Sequence, residues 1–410
     1  MKVLLLNLYY PPDTSATAKM AQIVTTALSE HHEVTVLCGR PSYDPTERRR
    51  WKPWQTETVN GTRIVRVGST DYSRAQMKRR VFNYLTYVAL AVPRALFVQC
   101  DVILAMTDPP FEGIVGAFIA MLKGKPYVYN IRDMYPDMAV AGSIVDPGLL
   151  PRVWEILHRW ALRHVSSVIV LGEDMRARMI AKGVDPSHIE IVRDGADIEP
   201  ENGPLPSLDP DVIGKIRGDS KFVLVHAGNL GFYGAWNTLI TGAKALCDKG
   251  VSLVFVGDGA QRAQLEALAN GCTNVRFLPF FPSSKIPSVL AAADAHVITV
   301  KRGLEGVVVP SKMYGILAAG KPIVAVAPKE TDAALLGERL GFSVCADPDH
   351  PEELVTAVCT LIESPGLLET MGKAARAAAP GYDRVKELQK FVQIIGRYAA
   401  GEKIQEARQA

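Results

Sequence analysis

A repeated alternation of short apolar segments with longer amphipathic ones constrains the fold of this chain more than any other feature. KVLLLNL, near the amino terminus, precedes AKMAQIVTTALSE, in which apolar residues recur at helical spacing. EVTVLC, DVILAM, PYVYNI and SSVIVLG follow, with helix-length segments between them. Because parallel strands need long crossover connections, this alternation predicts βα units arranged on parallel sheets.

The alternation is interrupted between residues 198 and 220, where IEPENGPLPSLDPDVIGKIRGDS is rich in Pro, Asp and Gly and predicts a linker. It then resumes with KFVLVHAG, VSLVFVG, NVRFLPF, AHVITV, KPIVAVA and FSVCA. A chain of 410 residues with 48% hydrophobic content can bury two cores. We predict an α/β fold of two doubly wound, Rossmann-like domains, residues 1–200 and 201–385. A helix and tail over 386–410 would pack back on the first domain.

Cysteine usage and the amino terminus predict the compartment. The six cysteines form no CxxC pair, which is typical of scattered reduced thiols. The first apolar run stops at Pro11-Pro12 and is too short for a signal peptide. We therefore predict a cytoplasmic protein, and peripheral attachment to the inner face of the cell membrane stays open.

Positive charge is concentrated in one stretch. Residues 40–80 carry eleven basic and four acidic side chains, a net +7, whereas the rest of the chain is −4. Met77–Val98 then joins basic residues to an apolar run that Asn83, Pro93 and Arg94 interrupt, which is short of a clean membrane span. This pattern predicts contact of residues 48–98 with an anionic membrane surface. An ordinary core helix with a basic cap is the alternative.

The loops that follow strands are the candidate site, because ligands of doubly wound sheets bind at the carboxyl ends of strands. The first such loop, YYPPDTSATAK, lacks the GxGxxG of dinucleotide-binding enzymes. Asp13, Thr14 and Ser15 instead offer polar side chains and backbone N–H groups at a helix start. They suit a polar sugar or a phosphate, and ordinary capping of the helix by Ser or Thr is the alternative.

The loop RDMYPD, after PYVYNI, is a second candidate. It brings Arg132, Asp133 and Tyr135 together at a strand end. A carboxylate beside an arginine can orient a hydroxyl or stabilise developing charge, and a surface ion pair that fixes a turn is the alternative. The segment TDPP, after DVILAM, adds Asp108 as a lining residue.

Glycine-rich turns follow two strands of the C-terminal half. KFVLVHAG runs into GNLGFYG, and VSLVFVG ends in GDG. Glycines at these points permit tight turns and close approach of the backbone to a phosphate, or merely a strand-to-helix turn. The candidate residues are Gly228, Asn229, Gly231, Gly257, Asp258 and Gly259.

The strongest local signal is KRGLEGVVVPSKMYGILAAGKPIVA, residues 301–325. Pro310, Ser311 and Lys312 stand at a predicted helix start, which suits a phosphate. Glu305 could accept hydrogen bonds from ribose or sugar hydroxyls, and a capped helix with solvated charges is the alternative. We interpret the Asp347–Asp349 stretch as helix capping and predict no metal ion.

Several of these segments together resemble a known family. PSKMYGILAAGKPIV resembles the nucleotide-binding segment of the family-4 glycosyltransferases, which are retaining enzymes of the GT-B fold. Within that family it resembles bacterial polysaccharide-assembly enzymes of the colanic-acid fucosyltransferase type. NLYYPPD, TDPPFEG, YVYNIRDMYPD, VIVLGEDMRARMIAKGV, VHAGNLG and VFVGDGAQRAQLEAL agree in family order. The resemblance implies a nucleotide diphosphate sugar in the C-terminal domain and an acceptor in the N-terminal domain, with neither metal nor resident cofactor.

The resemblance also assigns roles to residues. It implies that the first glycine turn holds the diphosphate, that the second lies at the nucleoside, and that Lys312 stabilises the leaving diphosphate. Asp133, Lys312 and Glu305 are then the candidate catalytic residues, with Pro310 and Ser311 at the donor. The candidate acceptor-binding residues are Asp13, Thr14, Ser15, Asp108, Arg132 and Tyr135.

The chain departs from the family pattern at three places. Arg132 stands where a histidine commonly precedes the aspartate of the N-domain loop, which favours Asp133 for the acceptor-facing role. Val307 and Gly315 stand where many members have two glutamates eight positions apart, and Glu305 lies two positions from the first of them. Phe232 and Tyr233 stand where many members have an arginine and a lysine.

These observations predict a retaining hexosyl- or hexosaminyltransferase with a UDP-sugar favoured over a GDP-sugar as donor. Its acceptor would be a hydroxyl of a glycan or of a polyprenyl-linked sugar in cell-surface polysaccharide assembly, and no nucleic acid partner is predicted. Two alternatives stay open: a nucleotide-sugar epimerase of the same fold, and a non-catalytic subunit that binds a nucleotide sugar. The missing second glutamate slightly favours the latter.

Overall fold

The computed structural model describes residues 1–41, 52–70, 72, 77–142, 145–198 and 207–398. Its strands form an eight-stranded and a six-stranded sheet that follow each other along the chain. Helices connect successive parallel strands in both. The predicted α/β fold of two doubly wound domains is confirmed. Part of the predicted linker, 199–206, and the tail from 399 onward lie outside the described residues.

The N-terminal sheet has the strand order β3-β4-β2-β1-β5-β6-β7-β8. These strands are β1 (Lys2–Leu6), β2 (Glu33–Gly39), β3 (Trp54–Val59), β4 (Thr62–Val67), β5 (Val102–Ala105), β6 (Tyr127–Asn130), β7 (Ser167–Val170) and β8 (Ile189–Ile191). Its helices are α1 (Ala16–Ser29), α2 (Met77–Leu96), α3 (Glu112–Lys123), α4 (Asp137–Ala141), α5 (Leu149–Leu162) and α6 (Glu173–Ala181).

The C-terminal sheet has the order β11-β10-β9-β12-β13-β14, which is the dinucleotide-fold order 3-2-1-4-5-6. Its strands are β9 (Phe222–Ala227), β10 (Val251–Val256), β11 (Val275–Leu278), β12 (Ala295–Thr299), β13 (Ile323–Val326) and β14 (Ser343–Ala346). The helices are α7 (Pro210–Arg217), α8 (Trp236–Ala245), α9 (Arg262–Leu268), α10 (Ile286–Ala292), α11 (Lys312–Ala318), α12 (Asp332–Leu340), α13 (Pro351–Glu363), α14 (Pro365–Ala378) and α15 (Arg384–Arg397).

The hairpin β3–β4 is an element that the alternation did not predict. These strands pair antiparallel, with Val59 opposite Thr62. Asn60 and Gly61 connect them with φ of 50° and 78°, the left-handed conformations that a two-residue hairpin turn requires. Within the predicted membrane-contacting segment 48–98, residues 48–51, 71 and 73–76 lie outside the described residues.

The last helix, α15, returns to the first domain. Phe391, Ile394 and Ile395 are buried in one apolar cluster with residues of β1 and α1. The chain thus crosses between the domains twice, and the two crossings are bonded to each other. Ala196 N donates to Tyr382 O at 3.0 Å, and Arg384 N donates to Ala196 O at 2.9 Å.

The loop after β12 also contacts the first domain. Met134 N donates to Val307 O at 3.3 Å, and Arg178 Nε donates to Glu305 O at 2.9 Å. Gly306 has a φ of 64°, and a Cβ there would lie 2.4 Å from the carbonyl oxygen of Asp174. This loop therefore brings the carboxyl ends of both sheets to one cleft.

None of the individual helices in the described ranges is both long and apolar enough to span a bilayer. One bent pair, Pro351–Glu363 with Pro365–Tyr382, passes the same test by length and composition only.

Candidate active site

The two glycine-rich turns of the C-terminal domain lie directly against each other. They follow the adjacent parallel strands β9 and β10, so their first residues meet at one sheet edge. A Cβ on Gly257 would lie 2.0 Å from the carbonyl oxygen of Gly228. Leu230 N donates to Asp258 O at 2.9 Å, and a Cβ on Gly259 would lie 2.5 Å from Asn229 Oδ1. Only glycine permits this approach of two backbones.

Lys312 reaches the first of these turns from α11. Its Nζ lies 3.5 Å from where a Cβ of Gly228 would stand. Burial lowers the pKa of Lys312 to about 7. The site therefore holds an amine that is charged below about pH 7 and whose charge is poorly hydrated, which favours binding of an anion beside it.

His226, at the end of β9, is the partner of that ammonium and was not anticipated from the sequence. Lys312 Nζ lies 2.9 Å from His226 Nε2. The same amine lies 3.3 Å from Nδ1, so it sits against the ring. Burial and next the charge of Lys312 lower the pKa of His226 well below its ordinary value, so the ring is neutral. Trp236 holds the ring edge to face, with centroids 5.0 Å apart.

The predicted helix start is short, and its backbone groups are engaged. α11 has seven residues. Ser311 N, Met313 N and Tyr314 N donate to carbonyl oxygens of Val309, Pro310 and Ser311. The positive character that this segment brings is therefore concentrated at the ammonium of Lys312.

Two aromatic side chains brace the first turn, and one of them, Tyr233, stands where many family members carry a cation. The Tyr233 hydroxyl donates to Asn229 O, and Trp236 Nε1 donates to Gly231 O at 2.7 Å. Phe232 is exposed. The turn is thus shaped by aromatic packing.

Glu305 lies at the contact between the domains. Its carboxylate accepts from Gly303 N at 2.9 Å, and its carbonyl accepts from Arg178. These bonds tie Glu305 to its own loop and to the first domain, and neither joins it to the glycine turns.

A group of carboxylates occupies the facing edge of the N-terminal sheet. Burial, and next the Asp108 carboxylate, raise the pKa of Asp133 to about 6, against the opposing effect of Arg132. Arg132 itself is paired with Asp194, because its Nη2 donates to both carboxylate oxygens at 2.6 and 2.7 Å. Asp194 was not anticipated, because it follows the short strand β8, which the apolar pattern does not reveal.

The remaining predicted acceptor residues have structural contacts. Tyr135 stacks on Trp154 with centroids 5.8 Å apart and 7° between the rings. Ser15 is the N-cap of α1, and its Oγ accepts from Ala18 N at 3.1 Å. Asp13 is buried, and Thr14 is exposed.

The acidic stretch after β14 is bound to an arginine. Asp347 and Asp349 both pair with Arg302, each at 2.6 Å. In the described ranges, no three His, Cys, Asp or Glu side chains are grouped as a metal ion would need.

The chain matches two domain families in succession. Residues 17–195 match the family described as "Glycosyl transferase 4-like domain", and residues 221–364 match "Glycosyl transferases group 1". The two matched regions together span most of the chain and follow its two sheets.

Curated relatives agree with both matches. The chain is 24% identical over 372 residues to a putative colanic acid biosynthesis glycosyl transferase, WcaI, of Escherichia coli, covering 87% of this chain and 91% of that protein. It is 26% identical over 299 residues to a probable glycosyltransferase, WbjE, of Pseudomonas aeruginosa, covering 72% and 74%.

Solved structures share the fold. Sucrose-phosphate synthase from Thermosynechococcus elongatus superposes with a TM-score of 0.74 at 14% identity, covering 98% of this chain and 100% of that one. Anabaena HepE in complex with UDP superposes with a TM-score of 0.66 at 20% identity, covering 97% and 100%. Since both matched families are glycosyl transferases and the architecture is shared throughout, this chain is an enzyme that belongs to the family-4 glycosyltransferases of the GT-B fold.

Proposed function

We propose that this enzyme is a retaining glycosyltransferase that takes its sugar from a nucleotide diphosphate sugar. One observation carries the proposal: a buried ammonium, Lys312, stands beside two interlocked glycine turns at the carboxyl ends of β9 and β10. A pyrophosphate there would meet backbone at close range and one cation of low hydration.

The nucleotide of the donor is proposed from the ligands of a protein with the same fold. Anabaena HepE is a fold neighbour whose structures contain UDP and UDP-glucose. Because the same topology forms the glycine turns here, a UDP-sugar is the favoured donor, with a GDP-sugar as the second choice.

The chemistry that fits this cleft exchanges one bond for another at the same face of the sugar. The bond from the anomeric carbon to the diphosphate oxygen breaks, and a bond to the acceptor oxygen forms. The acceptor proton passes to the departing diphosphate, whose growing charge the Lys312 ammonium stabilises. Asp133, with its pKa of about 6, would orient the acceptor hydroxyl from the facing sheet.

The acceptor belongs to the same proposal. WcaI is described as a colanic acid biosynthesis enzyme, which favours a role in polysaccharide biosynthesis for this chain as well. A glycan or a polyprenyl-linked sugar is then the acceptor, and the enzyme works at the inner membrane surface as a peripheral protein.

A non-catalytic role has one observation in its favour. Val307 is buried and Gly315 has no side chain, so neither supplies the carboxylate that many family members carry at these positions. A subunit that only binds the donor would keep the glycine turns and Lys312 unchanged.

A panel of UDP-, GDP-, dTDP- and CDP-sugars tests the proposal by thermal shift and by turnover. A ligand of the native state raises apparent stability according to its concentration over its dissociation constant. We expect a shift with one nucleotide class, and nucleotide release that requires an acceptor. Conversion of the donor alone would identify an epimerase, binding without turnover would identify a subunit, and no shift at millimolar ligand would contradict the donor site.

A further inference from the structure

The outward face of α2 is apolar where a solvated helix would be polar. Val81, Leu85, Ala89, Pro93 and Phe97 follow each other at intervals of four residues along this helix and its end, and all five are exposed. Phe97 is 81% exposed. A stripe of this kind normally faces a core, so on an outer surface it indicates a contact that the chain itself does not supply.

Helix α5 repeats the pattern. Leu149, Leu150, Val153, Ile156 and Leu157 occupy the i, i+1, i+4, i+7 and i+8 positions of one helical face, and each is exposed. The opposite face of α5 is the one that packs inward. Helix α5 is therefore apolar on its exposed face as well as on its buried face.

Helix α3 lies between them and joins the two stripes. It packs against both α2 and α5, and its exposed members are Phe118, Met121 and Leu122. Lys123 Nζ donates to the carbonyl oxygens of Leu96 and Val98 at 2.9 and 2.8 Å, which fixes the ends of α2 and α3 together. We call the exposed residues of α2, α3 and α5 the outer face. It holds half of the large exposed apolar side chains in the described ranges.

The charges on these helices are almost all positive. Glu112 of α3 is fully buried, and Glu155 of α5 is bound by Arg159 and Lys182, at 2.7 Å each. The exposed basic residues of these helices and their ends are Arg79, Lys125, Arg152, Arg163 and the paired Arg159, and the exposed acidic residues near the ends are Asp101 and Asp146. The outer face thus combines a broad apolar surface with unbalanced positive charge.

We propose that the outer face docks on an anionic lipid bilayer. The apolar stripes would enter the boundary between headgroups and acyl chains, and the basic residues would meet the headgroup phosphates. A second copy of this chain fits less well, since a two-fold interface places the same patch on both sides and would oppose basic residues to basic residues.

The docking surface is connected to the acceptor side of the cleft. Trp154 of α5 stacks on Tyr135, two residues from Asp133. The exposed Ile156 and Arg152 also border a groove of about 940 Å³, which runs between α4, α5 and α6 to Gly303 of the other domain. The inference rests on the proposed lipid-linked acceptor for its purpose, but membrane binding can be measured without turnover.

Flotation with vesicles of phosphatidylglycerol and phosphatidylethanolamine tests the proposal, with phosphatidylcholine vesicles for comparison. We expect the full-length protein to float with the anionic vesicles and less so as salt rises. The triple variant Phe97→Ser, Leu150→Ser, Ile156→Ser should lose at least about tenfold in vesicle affinity. Each substitution removes apolar side-chain area that would otherwise be buried in the bilayer. The matched variant Leu268→Ser, Leu367→Ser, Val385→Ser, exposed on other surfaces, should bind within about twofold of the parent.

Thermal shift with the donor nucleotide separates this proposal from the donor site, because a folded outer-face variant should keep its shift. Equal vesicle binding by the triple variant and the parent would overturn the proposal, as would absence of binding by the parent. Conversion of an oligomer to a monomer in the triple variant, with vesicle binding unchanged, would assign the outer face to self-association instead.

Discussion

At the residue scale, the pair of Lys312 and His226 would let the proposed donor site bind a diphosphate without the cations of related enzymes. Phe232 and Tyr233 contribute no positive charge, so the diphosphate would be held by one ammonium. The neutral His226 ring lies against that amine, with Nε2 at 2.9 Å and Nδ1 at 3.3 Å, and so fixes its position. A poorly hydrated cation interacts more strongly with an anion than a solvated one does.

The pH dependence of donor affinity follows from Lys312. Its pKa of about 7 in the free enzyme means that the ammonium is present below that pH and is lost above it. Donor affinity should therefore be flat below pH 7 and fall by up to about tenfold per pH unit above it, with a proton taken up on binding. Calorimetric titration of a nucleotide sugar across this range checks the slope. Lys312→Arg, which stays charged, should remove it, and an unchanged slope in that variant would assign it elsewhere.

The pKa of Asp133 predicts how acceptor-dependent turnover varies with pH. Its raised pKa of about 6 means that the carboxylate is ionised above pH 6 and protonated below it. Turnover should fall as pH drops through 6. Asp133→Asn should lower kcat/KM for the acceptor by roughly 10²–10⁴ and abolish that limb. Donor affinity should remain within about twofold in this variant, because the residue lies in the other domain. A normal rate in Asp133→Asn would remove the residue from the mechanism.

At the element scale, the buried parallel strands were predictable and the site geometry was not. Strands such as β1 and β10 are buried on both faces, so they appear in the sequence as continuous apolar runs. The edge strand β3 alternates exposed and half-buried residues, and only the Asn60-Gly61 turn signals it. The contact of Lys312 with His226 joins residues 86 positions apart and depends on strand order, which no local pattern contains.

The close contact of the two glycine turns predicts that a side chain at Gly257 would lower both stability and donor affinity. Gly257→Ala would place a Cβ 2.0 Å from the Gly228 carbonyl oxygen at a φ of 152°, so the two turns must separate. We expect a loss of roughly 1–3 kcal/mol in the free energy of unfolding and a weaker donor affinity. Denaturant unfolding and donor titration measure both. Gly214→Ala is the matched control, because its Cβ would meet nothing within 4 Å, and it should unfold no more easily than the parent.

At the scale of the whole molecule, the start of α12, which follows β13, and the loop after β12 both couple the domains. Asp332 at the start of α12 is fully buried and accepts from Glu173 N at 3.0 Å and from Arg193 Nη2 at 3.0 Å. Gly306, in the loop after β12, packs on Asp174 of α6, the first-domain helix that also holds Glu173. These contacts hold the carboxylate edge of one sheet opposite the glycine turns of the other.

Gly306→Ala should open this contact, because its Cβ would lie 2.4 Å from the Asp174 carbonyl oxygen. Acceptor-dependent turnover should fall at least about tenfold, since misplacement of reacting groups is costly, while donor affinity stays close to that of the parent. Gly303→Ala carries similar backbone strain, with a φ of 87°, but meets nothing within 4 Å. Small-angle scattering should show a larger radius of gyration for the first variant only, and equal effects in both would attribute the loss to strain alone.

The Lys312 ammonium is proposed to bind the donor pyrophosphate, and calorimetric titration of UDP against two lysine variants is the sharpest test of that contact. Lys321 is the matched residue: it is in the same domain, and its ammonium donates to Ala291 O and Ala293 O at 2.9 and 2.8 Å, at the opposite end of the sheet. Lys312→Met should weaken UDP binding at pH 6.5 by roughly 10²-fold, the scale of one buried charge-assisted contact, and Lys321→Met by less than about twofold. Equal UDP affinity in Lys312→Met and the parent would show that Lys312 does not bind the pyrophosphate.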